Sequence, residues 1–330
     1  MEFIIVTFIL LVLELLYFRI ADKFNIIDKP NHRSSHTQIT LRGGGIIFPI
    51  AFVLYFVVSA AYRKDYFLPE DCWSFGLGLF LLSTISFLDD ILDLSSKIRL
   101  VFHFISVTLL LYFINAFQLL PIWSIPILFI VIIGILNAYN FMDGINGITG
   151  LYSFVILSTL YYINQYKIIF TDVNFIIYPV LASLVFLFFN FRKKAKCFMG
   201  DIGSMGIAFW VLGLLGLLII KTQELKYLLF LTVYGVEVVL TILERLILKE
   251  NIFEAHRRHL YQLFSNEKKV SHLVVSAIYA FLQLLINVIV ILLDLPIWLI
   301  FASIIIPILI IYLVIKTNIK KKFKVIKFKR

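Results

Sequence analysis

The chain has 330 residues, of which 61% are hydrophobic and only 15% are charged. A soluble domain of this length could not cover so much apolar surface, so the composition excludes a soluble globular protein and indicates one embedded in lipid. The formal net charge of +10 could suggest a nucleic-acid partner. No nucleic-acid recognition module is present, however, and we expect no such partner.

Eleven stretches are apolar and long enough to cross a bilayer, which takes about 20 residues in a helix. They leave only short loops, which predicts an all-α polytopic membrane bundle of about 11 (10–11) transmembrane helices. We expect one transmembrane domain over residues 1–316 and a basic tail over 317–330. The stretches lie near 2–20, 44–62, 74–88, 98–117, 122–137, 145–164, 170–190, 203–220, 227–248, 271–293 and 296–316.

Lysine and arginine are concentrated in alternate loops and in the tail, whereas the other loops carry few of them. Because cytoplasmic loops are enriched in these residues, the pattern predicts an outside N-terminus and a cytoplasmic C-terminus. The basic tail is expected to lie against anionic lipid.

The first polar cluster is DKPNHRSSHTQITLRGGG, residues 28–45, where Arg42 precedes three glycines. Glycines allow the backbone to approach a ligand closely. The alternative interpretation is a solvated basic loop that ends in a helix-entry turn.

The second cluster is LDDILDLSSK, which contains Asp89, Asp90 and then Lys97. Clustered carboxylates repel one another unless a cation neutralises them, and oxygen ligands suit Mg²⁺ together with substrate phosphates. Such acidic strings are also common in loops at helix ends, so this motif alone does not distinguish a metal site from an ordinary acidic loop.

The third cluster, NAYNFMDGINGITG, covers residues 137–150 and repeats polar side chains every three residues, including Asn140, Asp143 and Asn146. This spacing places amides and a carboxylate on one side of a helix end. A polar seam between helices would give a similar pattern.

The fourth cluster, FMGDIGSMG, places Gly200 and Asp201 at the start of a span. A helix N-terminus offers free N–H groups to phosphate, and Asp201 could hold a metal there; a simple N-cap is the alternative.

The fifth cluster, EAHRRHLYQLF, suits the binding of a diphosphate, but a basic loop that only fixes the topology would have the same composition. Its candidate residues are His256, Arg257, Arg258 and His259.

Glu14, His103 and Glu237 are polar residues that lie well inside predicted spans. Glu14 and His103 are expected to be satisfied core groups, whereas Glu237 is a functional candidate because intramembrane carboxylates are costly. The sequence identifies no partner for Glu237.

The five clusters fall on one membrane face and together indicate Mg²⁺-dependent chemistry at phosphates. In this order, DKPNHRSSH with RGGG, FLDDILDLSSK, NAYNFMDGINGITG, FMGDIGS and the histidine loop resemble the polyprenyl-phosphate N-acetylhexosamine-1-phosphate transferases. This family includes the muramoyl-pentapeptide translocase and the initiators of O-antigen, enterobacterial common antigen and teichoic acid synthesis.

The resemblance implies transfer of a sugar 1-phosphate from a UDP-N-acetylhexosamine to undecaprenyl phosphate at the cytoplasmic face of a bacterial inner membrane. Mg²⁺ is the implied cofactor, with Mn²⁺ as a substitute. Asp201 would hold the metal, with Asp89, Asp90 and Asp143 as catalytic carboxylates. The implied substrate-binding residues are Arg42, Lys97, Asn140, Asn146, Gly200, His256, Arg257, Arg258 and His259.

Two departures from the family pattern concern the shape of a loop and the identity of the substrate. Thr40 and Leu41 stand where the family often has a proline before the glycines. The form HRxHxYQ resembles O-antigen initiators that accept 6-deoxy sugars such as N-acetylfucosamine or N-acetylquinovosamine, with N-acetylglucosamine as the other candidate. A homodimer is the expected assembly, and a lipid-linked sugar transporter or flippase is the competing function.

Overall fold

The computed structural model describes residues 1–30, 38–62, 72–92, 94–251 and 256–323. Within these ranges, ten helical segments are long and apolar enough to cross a membrane, which confirms the predicted all-α polytopic bundle. The α-helices are α1 (Glu2–Lys23), α2 (Ile47–Tyr62), α3 (Cys72–Leu92), α4 (Ser96–Phe113), α5 (Ala116–Leu119), α6 (Ile125–Met142), α7 (Ile148–Tyr166), α8 (Val173–Asn190), α9 (Gly200–Thr222), α10 (Thr232–Ile247), α11 (Leu260–Gln262), α12 (His272–Leu292) and α13 (Ile297–Phe323).

Helix α7 corresponds to the sixth predicted span but is not among the ten apolar helices. It packs against α8, α9 and α12 and buries polar side chains such as Ser153 and Asn164. Because protein covers much of α7, it does not need the apolar surface of a lipid-facing span. The predicted number of eleven spans, like the orientation, stays a prediction.

Helix α9 forms the centre of the bundle. It packs against α2, α3, α4, α6, α7 and α8, and the run from Ile202 to Leu215 is buried without interruption. A helix that is apolar on every side belongs in an interior. The first turn of α9, which contains Asp201, is therefore held by neighbours on several sides.

The loop after α1 is joined to the start of α9 by backbone hydrogen bonds. The two-residue strands β1 (Ile27–Asp28) and β2 (Thr40–Leu41) pair in antiparallel fashion, and Leu41 also bridges Cys197. The Gly44 and Gly45 N–H groups then donate to the Phe198 and Met199 carbonyls, each at 2.9 Å. This pairing brings Arg42 to the same end of the bundle as Asp201.

At the other end of the chain, α13 continues beyond residue 316 to Phe323, so the first part of the predicted basic tail is helical. Residues 324–330, the remainder of that tail, lie outside the described ranges.

Candidate active site

A cavity of about 180 Å³ lies where the start of α9 meets the loop between α6 and α7 and the segment after α1. Five of the residues predicted from sequence line it together, and its other lining residues come from neighbouring loops and from the ends of neighbouring helices and a strand. The lining residues are Asp28, Arg42, Asp143, Gly144, Ile145, Asn146, Asn190, Phe198, Met199, Gly200, Asp201, Gln262 and His272.

Asp90 lies behind one wall of this cavity, where it contacts two of the lining residues. Its side chain, in the last turn of α3, is only 1% exposed and accepts a 2.8 Å hydrogen bond from the Asp201 N–H. Arg42 Nη2 lies 2.6 Å from Asp90 Oδ1 and 3.7 Å from Asp201 Oδ1. A buried carboxylate needs such compensation, so Asp90 fixes both Arg42 and the helix start that carries Asp201.

The Arg42 guanidinium is held in its charged form by this arrangement. Burial lowers the pKa of Arg42, but the carboxylates of Asp90 and Asp201 outweigh burial and leave that pKa raised. Arg42 is thus a permanent cation at the cavity wall, where a phosphate group could approach it.

Gly200 is required by the backbone at the start of α9. Its φ of 72° lies in the left-handed region, which favours glycine. A Cβ there would also lie 2.7 Å from Asp90 Oδ2 and 3.0 Å from the Gly43 nitrogen. Because the next N–H, that of Asp201, donates to Asp90, one of the free donors predicted at this helix start is already used.

Asp143 follows the last residue of α6 and is half-buried in the cavity wall. Burial raises the pKa of Asp143 to about 7, and the nearby Asp201 carboxylate adds to that shift. Two carboxylates that line one small cavity create a place where a cation would be favoured.

Asparagine side chains hold the loop between α6 and α7 in place. Asn146 Nδ2 donates to the Arg192 carbonyl at 2.8 Å, and Asn190 Oδ1 accepts from the Gly147 N–H at 2.6 Å. Asn190 Nδ2 also donates to the Cys197 carbonyl at 2.8 Å. The amide of Asn146 therefore supports the loop as well as lining the cavity.

Eight of the predicted residues do not line the cavity, among them Asp89, Lys97 and Asn140. Asp89 accepts hydrogen bonds from Arg99 Nη1 at 2.7 Å and from the Leu94 N–H at 2.9 Å, which ties α3 to α4. Lys97 is exposed at the start of α4, and Asn140 lies in the last turn of α6.

The loop before α11 also lies outside the cavity lining, although Gln262 of α11 reaches it. Arg258 pairs with Glu250 and with Glu244, the latter at 3.3 Å, and Arg257 is half-buried with interactions of its own. His256 and His259 lie with ring centroids 4.9 Å apart.

Burial lowers the pKa of His256 to about 4 and lowers that of His259 well below the usual value. Burial therefore disfavours the charged form of both rings in this structure.

Four polar lining residues were not among the predicted site residues: Asp28, Asn190, Gln262 and His272. Asn190 is the last residue of one apolar span and His272 is the first residue of another. The Asn146 N–H lies 3.5 Å from His272 Nδ1. A polar residue at the boundary of a span is common, so its position alone gave only a weak signal.

Comparison with known proteins agrees with this arrangement. Residues 72–220, which contain α3, the loop with Asp143 and most of α9, match the model of a family described as glycosyl transferase family 4. An "Undecaprenyl-phosphate alpha-N-acetylglucosaminyl 1-phosphate transferase" of Thermotoga maritima is 25% identical over 253 residues, 75% of each chain.

Two further relatives are similar over shorter stretches. A "Probable undecaprenyl-phosphate N-acetylglucosaminyl 1-phosphate transferase" of Bacillus subtilis is 29% identical over 65% of this chain and 63% of its own length. A "Phospho-N-acetylmuramoyl-pentapeptide-transferase" of Petrotoga mobilis is 30% identical over 55% and 60%. The chain thus spans slightly less than two thirds of these two relatives. The family match and these relatives agree with the resemblance of the motifs to the polyprenyl-phosphate sugar-1-phosphate transferases.

Proposed function

We propose that this protein transfers an N-acetylhexosamine 1-phosphate from a UDP-sugar to undecaprenyl phosphate and releases UMP. The observation that carries the proposal is the cavity in which Asp143 and Asp201 face the same space beside the Arg42 cation. Two carboxylates and a fixed guanidinium suit a diphosphate that arrives with a metal ion. The names of the similar proteins from Bacillus subtilis and Thermotoga maritima support the same reaction class.

Mg²⁺ is the proposed cofactor, with Mn²⁺ as a substitute. Within the described ranges, no cluster of three or more metal-ligating side chains is present. Mg²⁺ usually keeps several waters and binds through one or two carboxylates plus substrate phosphates, so Asp201 and Asp143 fit that requirement. When bound, the ion would neutralise charge on the phosphoryl groups.

The protein's task is to bring two anionic phosphates together. A phosphate monoester has a second pKa near 6, so the acceptor is mostly a dianion at neutral pH and requires no strong base. We propose that its oxygen attacks the sugar-bearing phosphorus directly while the bond to UMP breaks. Arg42, held by Asp90, would position and neutralise the phosphates.

The finer assignments belong to the same proposal. The HRxHxYQ form of the loop supports a 6-deoxy-N-acetylhexosamine or N-acetylglucosamine as the transferred sugar, and O-antigen initiation as the role. The distribution of lysine and arginine supports a site on the cytoplasmic face of a bacterial inner membrane. Anionic lipid at the tail and a homodimer complete the proposed partners.

One assay tests the reaction class. Purified protein is supplied with undecaprenyl phosphate, Mg²⁺ and a panel of UDP-N-acetylhexosamines, and lipid products are identified by mass spectrometry while UMP is measured. We expect one UDP-sugar to give a lipid-linked sugar diphosphate with equimolar UMP, and EDTA to abolish both. Absence of both products with every donor, alongside transbilayer movement of a lipid-linked sugar, would instead establish the flippase.

A further inference from the structure

The carboxylate of Glu237, inside the bundle on α10, is only 2% exposed and takes no part in the proposed chemistry. Its Oε1 accepts a hydrogen bond from the Tyr261 N–H at 3.3 Å, and its Oε2 accepts one from the Tyr279 hydroxyl. The His259 ring lies beside it, with Nδ1 3.8 Å from Oε1. Glu237 therefore binds the start of α11 to the interior.

From α11, the Tyr261 side chain reaches the end of α6. Its hydroxyl donates to the Phe141 carbonyl at 2.9 Å, and its ring covers Gly144. A Cβ added at Gly144 would collide with the Tyr261 hydroxyl and lie 3.0 Å from two ring carbons. Tyr261 thus contacts the chain on both sides of Asp143.

Tyr261 does not line the cavity, whereas Asp143 and the neighbouring Gln262 do. It is also almost fully buried, at 1% exposure, and so cannot meet a substrate in this cavity. Any effect of Tyr261 on the reaction must pass through the backbone that it supports.

We infer that Glu237 and Tyr261 are positioning residues that fix the Asp143 carboxylate toward Asp201. The inference rests on the proposed function, since it assigns Asp143 to the phosphate site. Glu237 holds the Tyr261 backbone, and the Tyr261 hydroxyl and ring hold Phe141 and Gly144. An intramembrane carboxylate that is costly to bury thereby sets the geometry of a loop at the end of the bundle.

Tyr261→Phe removes the bond to Phe141 but keeps the ring. We expect kcat to fall about tenfold with the KM for the UDP-sugar changed by less than about twofold, since small misplacements of catalytic groups are costly. Tyr55→Phe is the matched control, because Tyr55 is also buried. Its hydroxyl donates to Asp172 at 3.2 Å. Asp172 precedes the first residue of α8, whereas Asn190 of the cavity is the last residue of that helix. The control should leave kcat unchanged.

Two further comparisons separate positioning from general stability. Gly144→Ala should lower kcat by pushing Tyr261 away, and Tyr261→Phe in that background should restore part of the loss by removing the clashing hydroxyl. Glu237→Gln should retain most activity because its amide oxygen still accepts from Tyr261, whereas Glu237→Leu should not. Strictly additive losses, or equal losses in both Glu237 variants, would overturn the inference.

A readout without substrate or metal keeps this test separate from the proposed reaction. Carbodiimide modification of Asp143, followed by mass spectrometry, should be faster in Tyr261→Phe than in wild type or Tyr55→Phe. Unchanged labelling overturns the positioning role even if the enzyme is active. Faster labelling in a protein that transfers no sugar would support the positioning while rejecting the proposed function.

Discussion

Adjacent aspartates at the end of α3 have different surroundings. Asp90 points into the bundle toward Arg42 and Asp201, whereas Asp89 is bound to Arg99 of α4. Neighbouring residues on a helix are about 100° apart, and in this structure the two side chains contact different partners. We therefore expect Asp90 to support the phosphate site and Asp89 to support the connection between helices.

Asp201→Asn tests the proposed metal ligand. The substitution keeps the shape of the side chain and the backbone N–H that donates to Asp90, so the protein should still accumulate in the membrane. Activity should nevertheless fall by at least about a hundredfold, because an electrostatic contact to the transferring group is lost. Radiolabelled lipid product is the measurement.

Glu224→Gln provides the matched control for Asp201→Asn. Glu224 is an exposed carboxylate that pairs with Lys226 at the other end of α9. The control should keep wild-type activity. Wild-type activity in Asp201→Asn, or in native enzyme with EDTA, would remove Asp201 from the metal site.

The order of the chemistry can be tested through isotope exchange. In a covalent route, an aspartate such as Asp143 would first accept the sugar phosphate, and labelled UMP would then exchange into UDP-sugar without lipid. Direct attack by the acceptor phosphate requires the lipid for any exchange. We expect no exchange in rigorously delipidated enzyme; robust exchange, or a sugar phosphate trapped on Asp143, would defeat the direct mechanism.

At the residue scale, the motifs predicted well which side chains lie near one another. They predicted less well which groups each side chain contacts. Arg42, Asp143, Asn146, Gly200 and Asp201 do line one cavity. The direction in which the Asp89 side chain points and the lowered pKa of His256 depend on packing between helices. Spacing along the chain does not reveal that packing. Asn190 and His272 lacked a motif, because their roles arise only when distant loops meet.

At the scale of elements, close backbone contact between Gly45 and Gly203 joins the glycine run to α9. A Cβ on either residue would collide with the backbone of the other. The sequence indicated that these glycines permit a close approach, but it attributed the approach to a ligand. In the structure the approaching group is another segment of the same chain, a non-local pairing that local patterns could not specify.

Gly203→Ala should therefore destabilise the fold and the site together. We expect thermal unfolding in detergent at a lower temperature, with a cost of roughly 1–3 kcal/mol, as for overpacked cores. The control is Gly134→Ala in α6, where an added Cβ has no neighbour within 4 Å. It should be neutral or stabilise by about 0.5–1 kcal/mol because alanine favours the helix. An unchanged unfolding temperature in Gly203→Ala would contradict the packing argument.

At the scale of the whole molecule, composition sufficed to predict a helical membrane bundle because no other solvent accommodates such a sequence. The number of spans was harder to predict, since α7 obtains its burial from protein rather than lipid. The predicted orientation depends on the basic residues in the loops outside the helices. It is therefore tested by chemical labelling and not by the packing of the helices.

Introduced cysteines can report that orientation. Both native cysteines, Cys72 and Cys197, are buried, so the background should be low. Cysteines at Ser96 and Asn266 should react with an impermeant maleimide only from the cytoplasmic side, and one at Gln118, on the connection after α4, only from outside. Labelling of Ser96 or Asn266 in intact cells would overturn the predicted topology.

The unbroken burial of α9 has a consequence for how far this sequence can vary. In α13, many of the apolar side chains are exposed on the bundle surface, so one aliphatic residue can replace another with little effect. Along α9, any change of volume meets a neighbour on every side, in an interior packed as densely as a crystal. A saturation mutagenesis map should therefore show a continuous band of intolerance from Ile202 to Leu215, through the middle of the molecule.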